Sequence, residues 1–376
     1  MLSVQARPHG CADETHARVE RCLRRYSATA KAAVRAAAAL HPRIADLAVS
    51  FPALLFALAM PRRDADAARA FDAAIDGRPL AEVAQTAGVP LWLRKLPVDA
   101  LTKPLPRLPD DAAFRRRIAN HVPRSPKLAP LWLDVVSFAL EWSHPSFAIW
   151  IASELMRDVK AVKLKELRLL CLWAWFSHHR DTIGHRLVEE PWRPTMRFKT
   201  ALDAAWNWHT RVALHINLGE APIADHWLTP GCVYGYEFTP LRCANEVVAE
   251  AVAMKNCLRS YGYDLAQNQS RLWSVRMSGR RVATLRLAHS FADPLIGIRE
   301  LQAERNRDVS VEVWWAARQW LHQHDLPAID TKRFKWDKAP LDAGVWRSLW
   351  RPYWLAKRRI PMWLPLAPSR AVLKAL

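Results

Sequence analysis

Glycine is scarce in this chain, with 11 among 376 residues. Neither G-x-G-x-x-G nor G-x-x-x-x-G-K occurs, so the glycine-rich turns that let backbone amides close around phosphates are missing and nucleotide hydrolysis of the P-loop kind is not expected. The six cysteines, Cys11, Cys22, Cys171, Cys232, Cys243 and Cys257, contain no C-x-x-C pair. That spacing argues against a structural zinc site and against a disulfide framework, so free thiols are expected. No apolar run reaches the roughly 18 to 20 residues of a membrane-spanning helix; the longest, 51–60, 147–151 and 169–176, read as buried helices. The first residues lack the apolar stretch of a secretory signal, and Asp13 and Glu14 do not suit a transit peptide, so a cytoplasmic location is expected. Acid is the deficient charge. Thirty-six Asp and Glu face 55 Lys and Arg, leaving +19 and a pI near 10.2, which makes nucleic acid or an anionic surface the first partner to consider. Nothing in the sequence asks for a cofactor.

What is present is a globular composition, 51% apolar and 24% charged, with 19 tryptophans. The length allows about two or three domains. Residues 14–40 are rich in Ala and Arg without Gly or Pro, favouring one helix or two. Residues 64–75 read as a further amphipathic helix. A short helix followed by Gly88 and Pro90 in 79–96 has a superficial helix-turn-helix outline, although Pro90 and Pro97 leave little room for a second helix. The proline-dense segment 97–126 is a candidate linker carrying one basic helix at 112–120. Segments 128–142, 145–158 and 164–179 have broad apolar faces and read as three packed helices, and 195–214 continues in the same style.

The texture changes at 220–240, where Gly219, Pro222, Pro230, Gly231 and Gly235 mark a loop-rich connection and a domain boundary. Beyond it, 245–267 is expected to be one long helix. Segments 271–277, 282–289 and 295–302 alternate as strands, the first two joined by a tight Ser278-Gly279 hairpin. Residues 309–324 are helical again. The expected fold class is α+β: a mostly α-helical N-terminal region to about 220, then a module at 240–324 of one long helix packed on a small three-stranded antiparallel sheet, then a basic, Trp-rich tail at 325–376.

On an unbroken 245–267 helix, Glu250, Met254, Cys257 and Tyr261 fall at i, i+4, i+7 and i+11 and share a face. Arg276 closes the first strand, Thr284 lies in the second, and Gln302 and Asn306 follow the third. This series, together with Asn256 and Leu258, closely resembles the PcfJ-like family, named after a protein encoded on a conjugative plasmid. The family pattern is a glutamate-bearing helix with a Met-x-(His/Asn)-Cys-(Val/Leu)-x-x-Tyr run, a strand ending in Arg, a Thr-bearing strand and a Gln-to-Asn turn. The resemblance covers about 240–324 and departs from the pattern at Arg286, where an acid is expected, and at Ala303, where a glycine is usual. It implies association with mobile genetic elements, with protein partners of such a system, and no defined activity.

Two readings stand for each polar group. Cys257 is a nucleophile if Arg276 or a base such as His289 lowers its pKa, or a buried thiol packing helix on sheet. Glu250 and Tyr261 are general acid–base groups, or Glu250 forms a buried ion pair with Arg276. The amides of Asn256, Gln302 and Asn306 bind a ligand or cap a turn. His178, Asp181 and His185 have metal-compatible spacing on an unbroken helix, which Gly184 weakens; no metal is expected there.

Residues 340–376 hold seven basic residues against the single acid Asp342. Trp346, Trp350, Tyr353 and Trp354 follow at i, i+4, i+7 and i+8 beside Arg347, Arg351, Lys357, Arg358 and Arg359. The stripe is core packing, or a surface for stacking and phosphate contact on nucleic acid, or a membrane-interface face. Three functional classes follow: a nucleic-acid-binding accessory factor, an enzyme acting on a nucleotide or nucleic acid through Glu250, Cys257 and Arg276, and a component of a larger protein assembly.

Overall fold

The computed structural model describes residues 10–61, 66–160, 162, 164–219, 222–223, 225–289, 295–324 and 343–359. It divides into two compact units, residues 1–175 with 192–202, and residues 176–191 with 203–376.

The first unit is helical: α1 Gly10–Leu23, α2 Ala28–Leu40, α3 Pro42–Ser50, α4 Pro52–Ala59, α5 Ala67–Ile75, α6 Leu80–Thr86, α7 Ala112–Ile118, α8 Ala129–Trp142, α9 Pro145–Arg157 and most of α10 Leu164–His178. Its prolines start helices. Pro42, Pro52 and Pro145 open α3, α4 and α9, positions where the missing N–H has no intrahelical acceptor to lose. Side-chain caps complete several ends: Asp111 accepts from the amides of Ala113 and Phe114, and His144 from that of Phe147. Helix α4 is buried on nearly all sides, as its uniformly apolar sequence requires. Trp132, Phe147 and Trp173 are fully buried, and Trp92 meets Trp132 edge-on at 6.1 Å.

The segment 79–96 is not a helix-turn-helix: α6 is followed by a 3-10 turn at Leu91–Lys95 that leads with Trp92 and Leu93 into the core. The proline-dense stretch holds the expected basic helix, α7, and buries Leu101, Leu105, Phe114 and Ile118 within the unit. It packs as part of the unit.

The second unit contains α11 Ile183–Arg186, most of α12 Phe198–Leu218, strands β1 Gly231–Val233 and β2 Tyr236–Pro240, α13 Ala244–Met254, α14 Gly262–Ala266, β3 Ser270–Met277, β4 Arg280–Ala288, β5 Gly297–Ala303 and β6 Arg307–Asp308, then α15 Val311–His322 and α16 Ala343–Lys357. The α+β class holds. The sheet, however, has six strands among the described residues, antiparallel in the order β1-β2-β3-β4-β5-β6, where three were expected. The added strands are short ones: β1 and β2 form a hairpin within the segment read as loop, and β6 is two residues long. The Ser278-Gly279 hairpin is present, with both residues at positive φ (49° and 75°) as a two-residue turn of this hand needs.

Strand alternation gives the sheet two different faces. Trp273, Val275, Ala283, Leu285, Leu287 and Leu301 pack with Ala316, Ala317 and Trp320 of α15. The opposite face carries Leu272, which joins Val247, Val248 and Ala251 of α13, and a row of polar residues held by register: Ser274 opposite Thr284 opposite Gln302, and Arg286 opposite Glu300.

The long 245–267 helix does not form. Helix α13 stops at Met254, Lys255 turns left-handed (φ 49°, ψ 45°), and a 3-10 turn, Leu258–Tyr261, leads into α14. Glu250, Met254, Cys257 and Tyr261 therefore do not share one helical face.

Candidate functional site

Two regions hold the residues singled out by sequence. The first lies over the polar sheet face. Glu250, fully buried on α13, accepts from Arg281 Nε at 2.7 Å and from Thr284 Oγ1 at 3.2 Å. Thr284 in turn accepts from Asn256 Nδ2 at 3.2 Å, and Asn256 Oδ1 faces the amide of Leu258 at 3.4 Å. Every link joins a donor to an acceptor, which a buried polar chain needs in order not to destabilise the interface. The expected Glu250–Arg276 ion pair is replaced by Glu250–Arg281. The cause is a β-bulge: Val275 pairs with Ala283 but Arg276 with Arg281, leaving Val282 as the extra residue. Val282 packs with the α15 side, and Arg281 is thereby turned toward α13. Arg276 instead donates from Nε to Ser274 Oγ at 3.2 Å.

Beside this chain sits a second cluster. Tyr261 donates its hydroxyl to Glu300, 2.6 and 2.8 Å from the two carboxylate oxygens. Arg286 lies over the Tyr261 ring at 4.1 Å and pairs with Glu300 at 3.0 Å and Asp264 at 2.9 Å. Burial, and then the hydrogen bond to Glu300, hold the Tyr261 phenol well above its ordinary pKa, so it stays a hydrogen-bond donor. The residue that departs from the family pattern, Arg286, is thus the hub of a three-residue charge cluster with the cation at the centre and acids on either side. Sequence reasoning missed the pairing roles of Arg281, Asp264 and Glu300; the bulge and the break after Met254 create them, and neither leaves a glycine or proline at the site.

Asn256, Cys257, Tyr261, Thr284, Gln302 and Asn306 do converge, on the wall of one narrow pit. Its volume, ≈ 10 Å³ for the centre of a water-sized sphere, admits about one water molecule. Cys257 is exposed rather than buried under the helix, and Asn306 Nδ2 stands 3.9 Å from its sulfur. Glu250 and Arg276 do not line the pit, so the structure does not assemble Glu250, Cys257 and Arg276 into one open face. His289 packs on Trp227 at 5.8 Å and is not part of the pit either. The pit can order a water between amide, hydroxyl and thiol groups.

The second region is α16. Trp350 and Tyr353 are fully buried and lie against Phe176, 5.8 and 6.0 Å between rings. Phe176 also blocks any side chain at Gly184, where a Cβ would meet its ring at 2.3 Å. The middle of the aromatic stripe is therefore core. Trp354 is half-buried with Arg358 over its ring at 5.3 Å. Arg347, Arg351, Arg358 and Arg359 are exposed and Lys357 is half-exposed. The Trp346 side chain and residues 360–376 lie outside the described residues.

The metal-compatible spacing of His178, Asp181 and His185 is lost, because α10 ends at His178 and Thr182 caps a new helix through the amide of His185. Among the described residues no group of three His, Cys, Asp or Glu is placed to hold a metal. No helix is long and apolar enough to cross a membrane. No family model matches the chain, and no match to it was found among curated proteins or solved structures.

Proposed function

We propose that this chain is a nucleic-acid-binding accessory factor of a mobile genetic element, of the PcfJ-like kind, and that it holds phosphate backbones along the outer face of α16. The observation that carries the reading is the division of α16 into two sides: Trp350 and Tyr353 point into the core, while Arg347 and Arg351, one turn apart, stay exposed and lead to Arg358 and Arg359. With the central rings engaged in packing, phosphate neutralisation replaces base stacking as the main contact, a mode that serves duplex and single strand alike. Support for the family assignment is the order of motif residues from Glu250 to Asn306 and the meeting of seven of them around one pit.

The test is a salt titration of binding to single- and double-stranded DNA and RNA. The full chain is compared with a variant in which Arg347, Arg351, Lys357, Arg358 and Arg359 are replaced by Gln. Binding should weaken linearly with log salt, and the slope should fall by about 4 in the variant, close to 0.9 per phosphate contact removed. An unchanged slope, or no binding by the wild-type chain at low salt, overturns the reading.

A further inference from the structure

The first unit contains a cavity of ≈ 530 Å³ between α7 with its following turn, α9 and the segment leading into α12. Its wall carries four arginines, Arg116, Arg117, Arg157 and Arg197, together with His121. Sequence shows the Arg115–Arg117 run but not its meeting with Arg157 and Arg197, which are distant in the chain.

The charge in this cavity is unbalanced. Its one carboxylate, Glu154, is buried and already engaged at both oxygens: one pairs with Arg157, and the other accepts the amide of Phe198 at 3.0 Å, at the start of α12. Glu154 thereby fixes Arg157 on the wall and leaves Arg116, Arg117 and Arg197 with no acid among the lining residues. The Nε of Arg116 is held by the carbonyl of Ala112 at 3.3 Å, which directs its guanidinium. Burial, and then the nearby charges of Arg117 and Arg157, lower the pKa of His121. A cluster of like charge lining a recess raises the local positive potential and concentrates anions there. The rest of the wall mixes the polar Asn120, Ser153 and Thr195 with the apolar Ile149, Trp150, Pro194 and Met196. Trp150 is fixed by its Nε1 donating to Met196 O at 2.9 Å.

We infer that this cavity binds a nucleotide-sized small molecule bearing two or more phosphates, with the phosphates on Arg116, Arg117, Arg157 and Arg197 and the organic body against Trp150. Forked guanidinium donors match phosphate oxygens in pairs, and the volume falls within the range of small-molecule sites. The inference is independent of nucleic-acid contact on α16, which belongs to the other unit.

The experiment is calorimetric titration of the full chain with inorganic pyrophosphate, ADP and ATP at low salt. It is repeated with a variant carrying R116Q, R117Q and R197Q, and with one carrying R347Q and R351Q. ADP should bind more tightly than pyrophosphate, the triple variant should lose at least about a hundredfold in affinity for ADP, and the α16 variant should bind ADP as the wild type does. Bound ADP should also raise the pKa of His121, read from its imidazole resonances in the wild-type protein, so the result does not depend on a variant that folds. Absence of ADP binding, equal affinity in the triple variant, an unmoved His121, or displacement of ADP by an oligonucleotide each overturns the inference. The α16 reading stands or falls on its salt slope, whatever ADP does.

Discussion

Glu250 of α13 and Thr284 of β4 meet at 3.2 Å inside the second unit, and Arg281 completes the contact at 2.7 Å. The carboxylate is fully buried whereas the Arg281 side chain is 34% exposed, so the acid carries the greater desolvation cost and depends on both donors. Replacing Glu250 with Ala strands a guanidinium and a hydroxyl at this interface, and a loss of about 3 kcal/mol or more is expected. Glu250→Gln keeps an acceptor for Thr284 and should lose less. Urea unfolding of the two variants, monitored by Trp fluorescence, measures the order; equal losses would show that the retained acceptor contributes nothing and that the contact rests on the charge.

His209 provides a pH test. Its ring sits edge-on to Trp206 at 5.3 Å with Nε2 unpartnered, and burial, then the charge of Arg259, lower its pKa to about 4. The unfolded imidazole titrates near 6.5, so the unfolded state takes up the proton first. The stabilising contribution is full above about pH 6.5 and is lost as pH falls toward 4, reaching on the order of 3 kcal/mol. His121, His226 and His289 are shifted the same way, each chiefly by burial, so the difference between wild type and His209→Asn isolates this residue. Its stability difference should shrink between pH 7 and pH 4; a constant difference would show that His209 is solvated.

Lys255 adopts a left-handed conformation at the end of α13, a state that costs a residue with a Cβ about 1 kcal/mol. Lys255→Gly removes that strain and should raise stability by roughly 0.5 kcal/mol after the added freedom of the unfolded chain is counted. Thermal unfolding is the readout, and a fall in melting temperature would mean that the surface contact of Lys255 with Glu304 at 2.6 Å matters more than the backbone.

Thiol reactivity should follow exposure. Cys257 and Cys232 are exposed, and Cys171 is fully buried. In the native protein an aromatic disulfide reagent should modify Cys257 and Cys232 rapidly and reach Cys171 only on unfolding. The Cys257→Ser, Cys232→Ser double variant should lose the fast phase; if it persists, Cys11, Cys22 or Cys243 is the accessible thiol.

The helices were legible because proline and capping residues mark their starts: α8, α9 and α15 begin within two residues of where the sequence places them. Strands β3 and β4 were legible because apolar and polar residues alternate over 273–277 and 283–287. Strands β1 and β6 were not, since three and two residues cannot establish a period of two. The break after Met254 was hidden because Lys, Asn and Cys are ordinary helix residues, and the tertiary pairing of Asn256 with Thr284 holds the departure. The same applies to the site. Sequence could gather Asn256, Cys257, Tyr261, Gln302 and Asn306 as one set, and they do surround one pit. It could not choose Arg281 over Arg276, because one inserted residue, Val282, decides which arginine faces α13.

The strictly sequential order of the six strands bears on how the second unit assembles. Each strand's partner is the next one along the chain, and the β3–β4 hairpin closes through two residues. Pairing can spread outward from that hairpin with little loop-closure entropy at β4–β5 and β5–β6, while β2 must wait for the α13 excursion to fold. The rate-limiting event is therefore expected to be the capture of α13 over β3 and β4, which places the Glu250–Thr284 contact in the transition state, where its loss slows folding more than it accelerates unfolding.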